Sequence, residues 1–335
     1  MGRTTKRRRV KPTLASRKLH NQDTLLLARP GGIEVEVIST GAAIRSIWVP
    51  TREGRRNAVL GYPSLEQYRE DPYFMGATIG PYANRIANAS FGIDGRSYNL
   101  DANEANSGNC LHGGSDGLHR RKFRLSLLAH ESTIICCEVS LADGVNGFPG
   151  NRNCLVTYQL PDPLTLRIDY RVTTDRDTIA SLTNHTYFNL GGSIDEHEVA
   201  VYADHYTPLD QNQIPTGKVA CVAETQCDLR QLQPLGDRAY DHNFVLNQAK
   251  RPIKQAAKLS SPSSGISVTV FTSAPALQLY TGDGLGKPFW RRAGLCLEPQ
   301  QFPNAPNEPA FPSPRLSKDA IYQARIEYRF ERALT

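Results

Sequence analysis

Short runs rich in Val, Ile, Thr, Tyr and Phe, each cut off by Gly, Pro, Asn or Asp, recur along most of the chain. This punctuation limits the possible folds more than any other feature, because such runs are too short for helices and too apolar for loops. The runs at 33–39, 43–49, 123–129, 133–141, 155–160, 164–173, 199–203, 266–272 and 321–330 read as strands. Within 91–100, Asp94-Gly95 separates two short strand-like pieces and signals a hairpin. Pro161-Asp162-Pro163 turns another between 155–160 and 164–173. The one helical candidate, 64–69, begins at Ser64 as a plausible N-cap with Glu66 behind it and is only a turn or two long. Many strands without long alternating helices predict an all-β fold of packed antiparallel sheets, not a parallel α/β fold.

No fixed-period repeat and no central linker divides the chain, so we read 21–335 as a single large β-sandwich domain, a length that all-β units often reach. Residues 299–314 hold six prolines and are expected to be a stiff extended loop that cannot be a central strand. Residues 1–20 form a different kind of segment. Eight Lys and Arg and no acid fall within 1–18, so the formal net charge of +6 becomes −2 once those eight are set aside. The basic pI belongs to a tail expected to be disordered, and the body carries no basic surplus that would call for nucleic acid. The cluster Lys6-Arg7-Arg8-Arg9 leaves open a polyanion-binding or nuclear-import role. No apolar region follows the basic residues, which argues against a secretory signal. No stretch approaches the ~20 apolar residues of a membrane helix. Seven scattered cysteines without a C-x-x-C pair read as buried, reduced hydrophobes and favour the cytoplasm. Adjacent Cys136 and Cys137 should face opposite sides of a strand.

Four ionisable groups stand out for their company. His112 lies in Leu111-His112-Gly113-Gly114, His185 in Asn184-His185-Thr186-Tyr187, Asp241 in Tyr240-Asp241-His242-Asn243-Phe244, and Glu298 in Leu297-Glu298-Pro299-Gln300. Gly, Asn and aromatic neighbours around one charge suit a shaped polar pocket. Singly, each also fits a hydrogen-bonded structural residue or a salt-bridge partner. Asp241 next to His242 can instead be read as a base–orienter pair. Gly282-Asp283-Gly284-Leu285-Gly286-Lys287 lacks P-loop spacing and reads as a turn. Neither H-x-H nor H-E-x-x-H occurs, so no metal motif is present.

The order of these segments resembles the aldose 1-epimerase family over about residues 22–331. The resemblance rests on Gly80-Pro81-Tyr82-Ala83-Asn84-Arg85-Ile86-Ala87-Asn88, Leu111-His112-Gly113-Gly114, Asp143-Gly144-Val145-Asn146-Gly147-Phe148-Pro149-Gly150, the Asn184-His185 segment, Tyr240 to Phe244, Leu277-Gln278-Leu279-Tyr280-Thr281-Gly282, and residues 297–314. It implies a large antiparallel β-sandwich and a cofactor-free, metal-free enzyme. Such an enzyme interconverts the α and β anomers of a free aldohexose such as galactose or glucose by opening and reclosing the ring. It also implies Glu298 as base, His185 as acid, and His112 as a second histidine at the anomeric centre. Arg85, Asp241 and Gln278, with Asn84 beside them, are then ligands of the sugar hydroxyls. Pro81 and Pro299 depart from the residues common in the family, which bears on specificity more than on activity. A monomer or weak dimer, without nucleic acid or membrane as partner, is expected.

Three other readings compete. A glycoside hydrolase would use Asp241 and Glu298 as paired carboxylates across a glycosidic bond. A sugar-binding protein would keep the pocket without needing an acid–base pair. A hexose 6-phosphate mutarotase would need extra cations beside the pocket.

Overall fold

The computed structural model describes residues 23–128, 133–247 and 252–332. The basic segment 1–20 therefore lies outside the described residues. Strands dominate, interrupted by single 3-10 turns, and no helix among the described residues is long and apolar enough to cross a bilayer.

The largest sheet has nine strands in the order Arg124–Leu127, Ile134–Leu141, Arg152–Asp162, Thr165–Thr174, Ile321–Arg332, Ile266–Thr272, Lys254–Ser261, Glu198–Val201 and Gln233–Pro234, with every neighbouring pair antiparallel. A second antiparallel sheet has six: Tyr187–Phe188, Leu295–Gln300, Ala276–Tyr280, Asp241–Val245, His205–Tyr206 and Ala220–Cys221. A third joins Thr24–Ala28, Glu34–Ile38, Ile44–Thr51 and Gly54–Asn57.

Period-two alternation explains how the layers stack. On the nine-stranded sheet Val156, Tyr158, Leu166, Ile168, Tyr170 and Tyr328 point inward. On the six-stranded sheet Phe244, Leu277, Leu279, Leu295 and Leu297 meet them in one apolar cluster. Phe188 and Tyr328 make an edge contact across the two layers, with ring centroids 5.1 Å apart. Fully burying each such side chain stabilises by roughly 1.5–3 kcal/mol, so this interlayer contact is what holds the sheets together. The architecture is the antiparallel β-sandwich expected from the strand pattern. The Asp94-Gly95 turn is also as read, joining Ser90–Ile93 to Arg96–Asn99 with both turn residues at positive φ.

Several expectations need correcting. The 64–69 segment is one 3-10 turn, Glu66–Arg69, whose N-cap is Leu65 with no side-chain cap, so Ser64 does not cap it. Pro299 is not loop: it lies inside Leu295–Gln300, a strand flanked on both sides. The neighbour Tyr187–Phe188 pairs only with Cys296 and Leu295, so the N–H that Pro299 lacks interrupts no ladder. Beyond Gln300 the chain does become a loop with one 3-10 turn, Ala305–Asn307. All seven cysteines are free, yet Cys221 is exposed and Cys136 only half-buried. Cys137 sits in the core on the opposite face from Cys136, as alternation requires.

Candidate functional site

Because odd-numbered residues of Ala276–Tyr280 and Leu295–Gln300 feed the core, their even-numbered residues line the opposite face. Register aligns Asn243, Gln278 and Glu298 in one row and Asp241, Tyr280, Cys296 and Tyr187 in the next. This face is the floor of a cavity of about 530 Å³ that Asn84, Arg85, His112, His185, Asp241 and Glu298 line together. That size suits a small polar ligand. Six of the seven residues singled out in the sequence thus converge from distant parts of the chain. Gln278 does not reach the wall. It lies behind Asp241 and donates from Nε2 to Asp241 Oδ1 at 2.6 Å.

Backbone contacts fix the histidines. His185 follows the two-residue strand Thr183–Asn184; its N–H donates to the Ala77 carbonyl and its own carbonyl accepts from Gly76 N–H. His112 Nδ1 accepts from the backbone N–H of Asn84 at 3.1 Å. An N–H can only donate, so Nδ1 is unprotonated and Nε2 carries the ring's proton. Asn84 and His112 both stand at positive φ, as does Phe74, which concentrates backbone strain around the cavity. The Phe74 ring packs against His112, His119 and His185 at centroid distances of 4.6, 4.7 and 5.7 Å. His242 Nδ1 accepts from the Asp241 N–H, whereas the Asp241 carboxylate faces Gln278 and Arg85. The imidazole of His242 is therefore not oriented by the Asp241 carboxylate.

Electrostatics separate two kinds of acid. Arg85 is gripped by Glu104, with Nε 3.0 and 3.1 Å from its two carboxylate oxygens, and reaches Asp241 at 3.6 Å. Glu104 in turn accepts from Ser107 and Asn109. Glu298 has no such cation. Its Oε1 lies 3.8 Å from His185 Nε2, too long for a direct hydrogen bond, and its buried Oε2 has no hydrogen-bond partner among the described residues. Desolvation, then the Asp241 charge, pushes the Glu298 carboxyl well above its ordinary range. Desolvation lowers His185 to about 4 and, with nearby positive groups, holds His112 well below its usual value. Both shifts act against the charged forms, so burial favours the neutral state of the Glu298–His185 pair, a property of the pair and not of either member.

The donor atoms of His185, Cys296 and Glu298 lie within 4.8 Å of one another, a mixed N, S and O set that could take a borderline metal ion. Other wall residues escaped the sequence reading. Phe74, Tyr187, Tyr280, Asp283 and Gln213 line the cavity. The 282–287 segment is the turn expected, closed by Leu285 N–H to the Gly282 carbonyl, but it also supplies wall residues Asp283 and Gly284. Tyr187 and Tyr280 lay inside noted motifs and alternation could have placed them. Glu104 and Gln213 left no local signal.

Comparison with known proteins agrees with this geometry. The family model described as aldose 1-epimerase matches residues 23–329. Aldose 1-epimerase from Escherichia coli K12 is 34% identical over 330 residues, 91% of this chain and 94% of that protein. Galactose mutarotase from Sus scrofa is 39% identical over 311 residues, 87% and 89% respectively. The crystal structure of a GalM/aldose epimerase homologue from C. elegans superposes with a TM-score of 0.86 at 28% identity, covering 92% of this chain and 99% of that one. With its strands, its cavity and nearly its whole length accounted for in this way, the chain belongs to the aldose 1-epimerase family.

Proposed function

We propose that this enzyme interconverts the anomers of a free, uncharged aldohexose such as galactose or glucose in the cavity over the six-stranded sheet, with Glu298 and His185 moving the protons. The observation that carries the reading is the buried pair itself: Glu298 Oε1 and His185 Nε2 stand 3.8 Å apart on the cavity floor, both all but withdrawn from solvent. In the productive ionisation Glu298 is a carboxylate and His185 an imidazolium. Glu298 takes the proton of the anomeric hydroxyl as the carbonyl forms. The bond from the anomeric carbon to the ring oxygen breaks, and His185 Nε2 delivers its proton to that oxygen. After rotation of the aldehyde the steps reverse on its other face. Each proton transfer of this kind contributes typically ~10²–10⁴ in rate. The Nε2–H of His112 donates to an oxygen at the anomeric centre, while Arg85, Asp241 and Asn84 hold hydroxyls and Gln278 steadies Asp241.

Charge supports a neutral substrate. Among the described residues lining the cavity, Arg85 is the only Lys or Arg, and Glu104 and Asp241 already engage it. A sugar phosphate would find no free cation there. Hydrolysis by an Asp241–Glu298 pair is disfavoured because Gln278 and Arg85 already engage the Asp241 carboxylate oxygens. Proton transfer between side chains and sugar is sufficient chemistry, so no metal or cofactor is part of this reading. Residues 21–335 act as one catalytic unit and 1–20 as an appended tail. The seven free thiols favour a reducing cytoplasm, and the site, built from one chain, works in a monomer or weak dimer.

Polarimetry on freshly dissolved α-D-galactose and α-D-glucose tests the proposal. The expected result is catalysed anomerisation of both, undiminished by exhaustive chelation. Absence of catalysis, or loss on chelation with recovery on adding a divalent ion, contradicts it.

A further inference from the structure

The ring nitrogen Nδ1 of His185 lies 3.5 Å from the sulfur of Cys296. Both residues are buried. Cys296 precedes Glu298 by two positions on one strand, so alternation presents both side chains on the same face. One strand thus supplies a neighbour to each ring nitrogen, Cys296 Sγ to Nδ1 and Glu298 Oε1, 3.8 Å away, to Nε2. We propose that Cys296 is a positioning residue for mutarotation: its sulfur accepts the Nδ1–H of His185, and this contact makes Nε2 the atom through which the ring takes up and releases its proton. The inference rests on the reading of His185 as a proton carrier.

A neutral imidazole has one N–H and therefore two tautomers. If the thiol donated to Nδ1, the neutral ring would carry its proton at Nε2 and have no lone pair facing the sugar. It could then not receive the proton of the ring-forming hydroxyl on closure. With Nδ1–H held by sulfur, Nε2 is a lone pair in the neutral ring and a donor in the imidazolium, as a reversible shuttle requires. Burial keeps the thiol protonated, with Glu298 and Asp241 acting in the same direction, so the sulfur is a neutral acceptor and not a thiolate. The groups around His185 are otherwise few. His112 packs edge-on against the ring with centroids 5.3 Å apart, His119 lies beyond the Phe74 ring, Tyr187 and Tyr280 flank the imidazole, Glu298 faces Nε2, and the residue's own carbonyl favours the protonated ring.

Ring ¹⁵N shifts of histidine-labelled protein test this without any substitution. At neutral pH the His185 Nδ1 should show the protonated-type shift and Nε2 the unprotonated type; the reverse assignment overturns the proposal. Cys296→Ala should lower kcat about three- to tenfold, the worth of one modest hydrogen bond, with KM within about twofold of wild type. It should also mix the two tautomers and move the pH limb of the pair to lower pH, because an acceptor that favours the imidazolium is gone. Cys296→Ser, which restores an acceptor, should recover most of the rate and the tautomer. An alanine variant with unchanged kcat and unchanged ¹⁵N shifts also overturns the proposal. Should the alanine protein not fold, the wild-type spectrum and the serine variant decide. His185→Asn keeps the two readings apart. Near-wild-type turnover there removes the proton-carrier role, whereas a crippled His185→Asn beside a silent Cys296→Ala removes only the role of Cys296.

Discussion

Arg85 is held by a carboxylate on each side, and Glu104 is the nearer partner. Arg85→Ala should raise KM about ten- to hundredfold, because a charged donor to a sugar hydroxyl is lost. Glu104→Gln leaves the arginine in place but loosens it, so KM should rise less. Saturation kinetics of anomer exchange check both, and an unchanged KM for Arg85→Ala would remove it from the sugar site. His119 makes a separate prediction about stability. It is buried, its Nδ1 has no hydrogen-bond partner among the described residues, and desolvation lowers it from the usual 6.5 to about 3. Between those values the unfolded chain binds more protons than the folded one, so stability falls as pH falls through that window. His119→Gln should flatten the dependence of Tm on pH between 6.5 and 3, whereas an unaltered slope would show that His119 is not a source of acid sensitivity. At this scale the sequence located the ionisable groups because each sat in a short distinctive motif. Glu104 stayed hidden because its meaning comes from the pairing of Arg85–Ile86 with Cys110–Leu111, across which it meets Arg85. Gln278 was visible but its position was not: burial depth behind Asp241 is set by the sheet, not by its neighbours in sequence.

At the scale of elements, strands of alternating apolar residues were legible, and Ile266–Thr272 was read to the residue. Lys254–Ser261 was missed because Lys-Gln-Ala-Ala-Lys-Leu has little β character of its own, and pairing with Ile266–Thr272 decides its state. Pro299 misled the reading because edge availability is a property of the neighbouring strand. The loop around Gly76 shows how an element places a residue of the cavity wall. Gly76 N–H donates to the His185 carbonyl, and its carbonyl accepts from Asn184 Nδ2 and Ile44 N–H. It has φ +67, and a Cβ there would lie 2.0 Å from the Ile44 carbonyl oxygen. Gly76→Ala should therefore destabilise by about 2 kcal/mol or more, through strain and displaced backbone. Turnover should drop with it, since the same segment holds His185. Chemical denaturation and kinetics on one preparation test this, and a variant of wild-type stability would mean that the loop yields freely.

For the whole molecule, two sheets sharing one core hold the cavity open on the outer face of the smaller sheet, and groups far apart in sequence meet there. Nothing in that arrangement calls on the basic tail. Deleting residues 1–18 should leave Tm and mutarotation nearly unchanged, since that segment has few apolar residues to dock, and a large fall in either would show that it packs on the body. The central claim is that the Glu298–His185 pair performs the ring opening. The most direct measurement is the catalysed anomerisation rate of Glu298→Gln, by polarimetry or exchange spectroscopy, alongside sugar binding by the same protein. The account predicts a fall in kcat of about 100-fold or more with binding retained, because glutamine keeps the shape and cannot take the proton. Turnover close to wild type in a folded, sugar-binding Glu298→Gln protein would contradict the assignment of the base and the mechanism built on it.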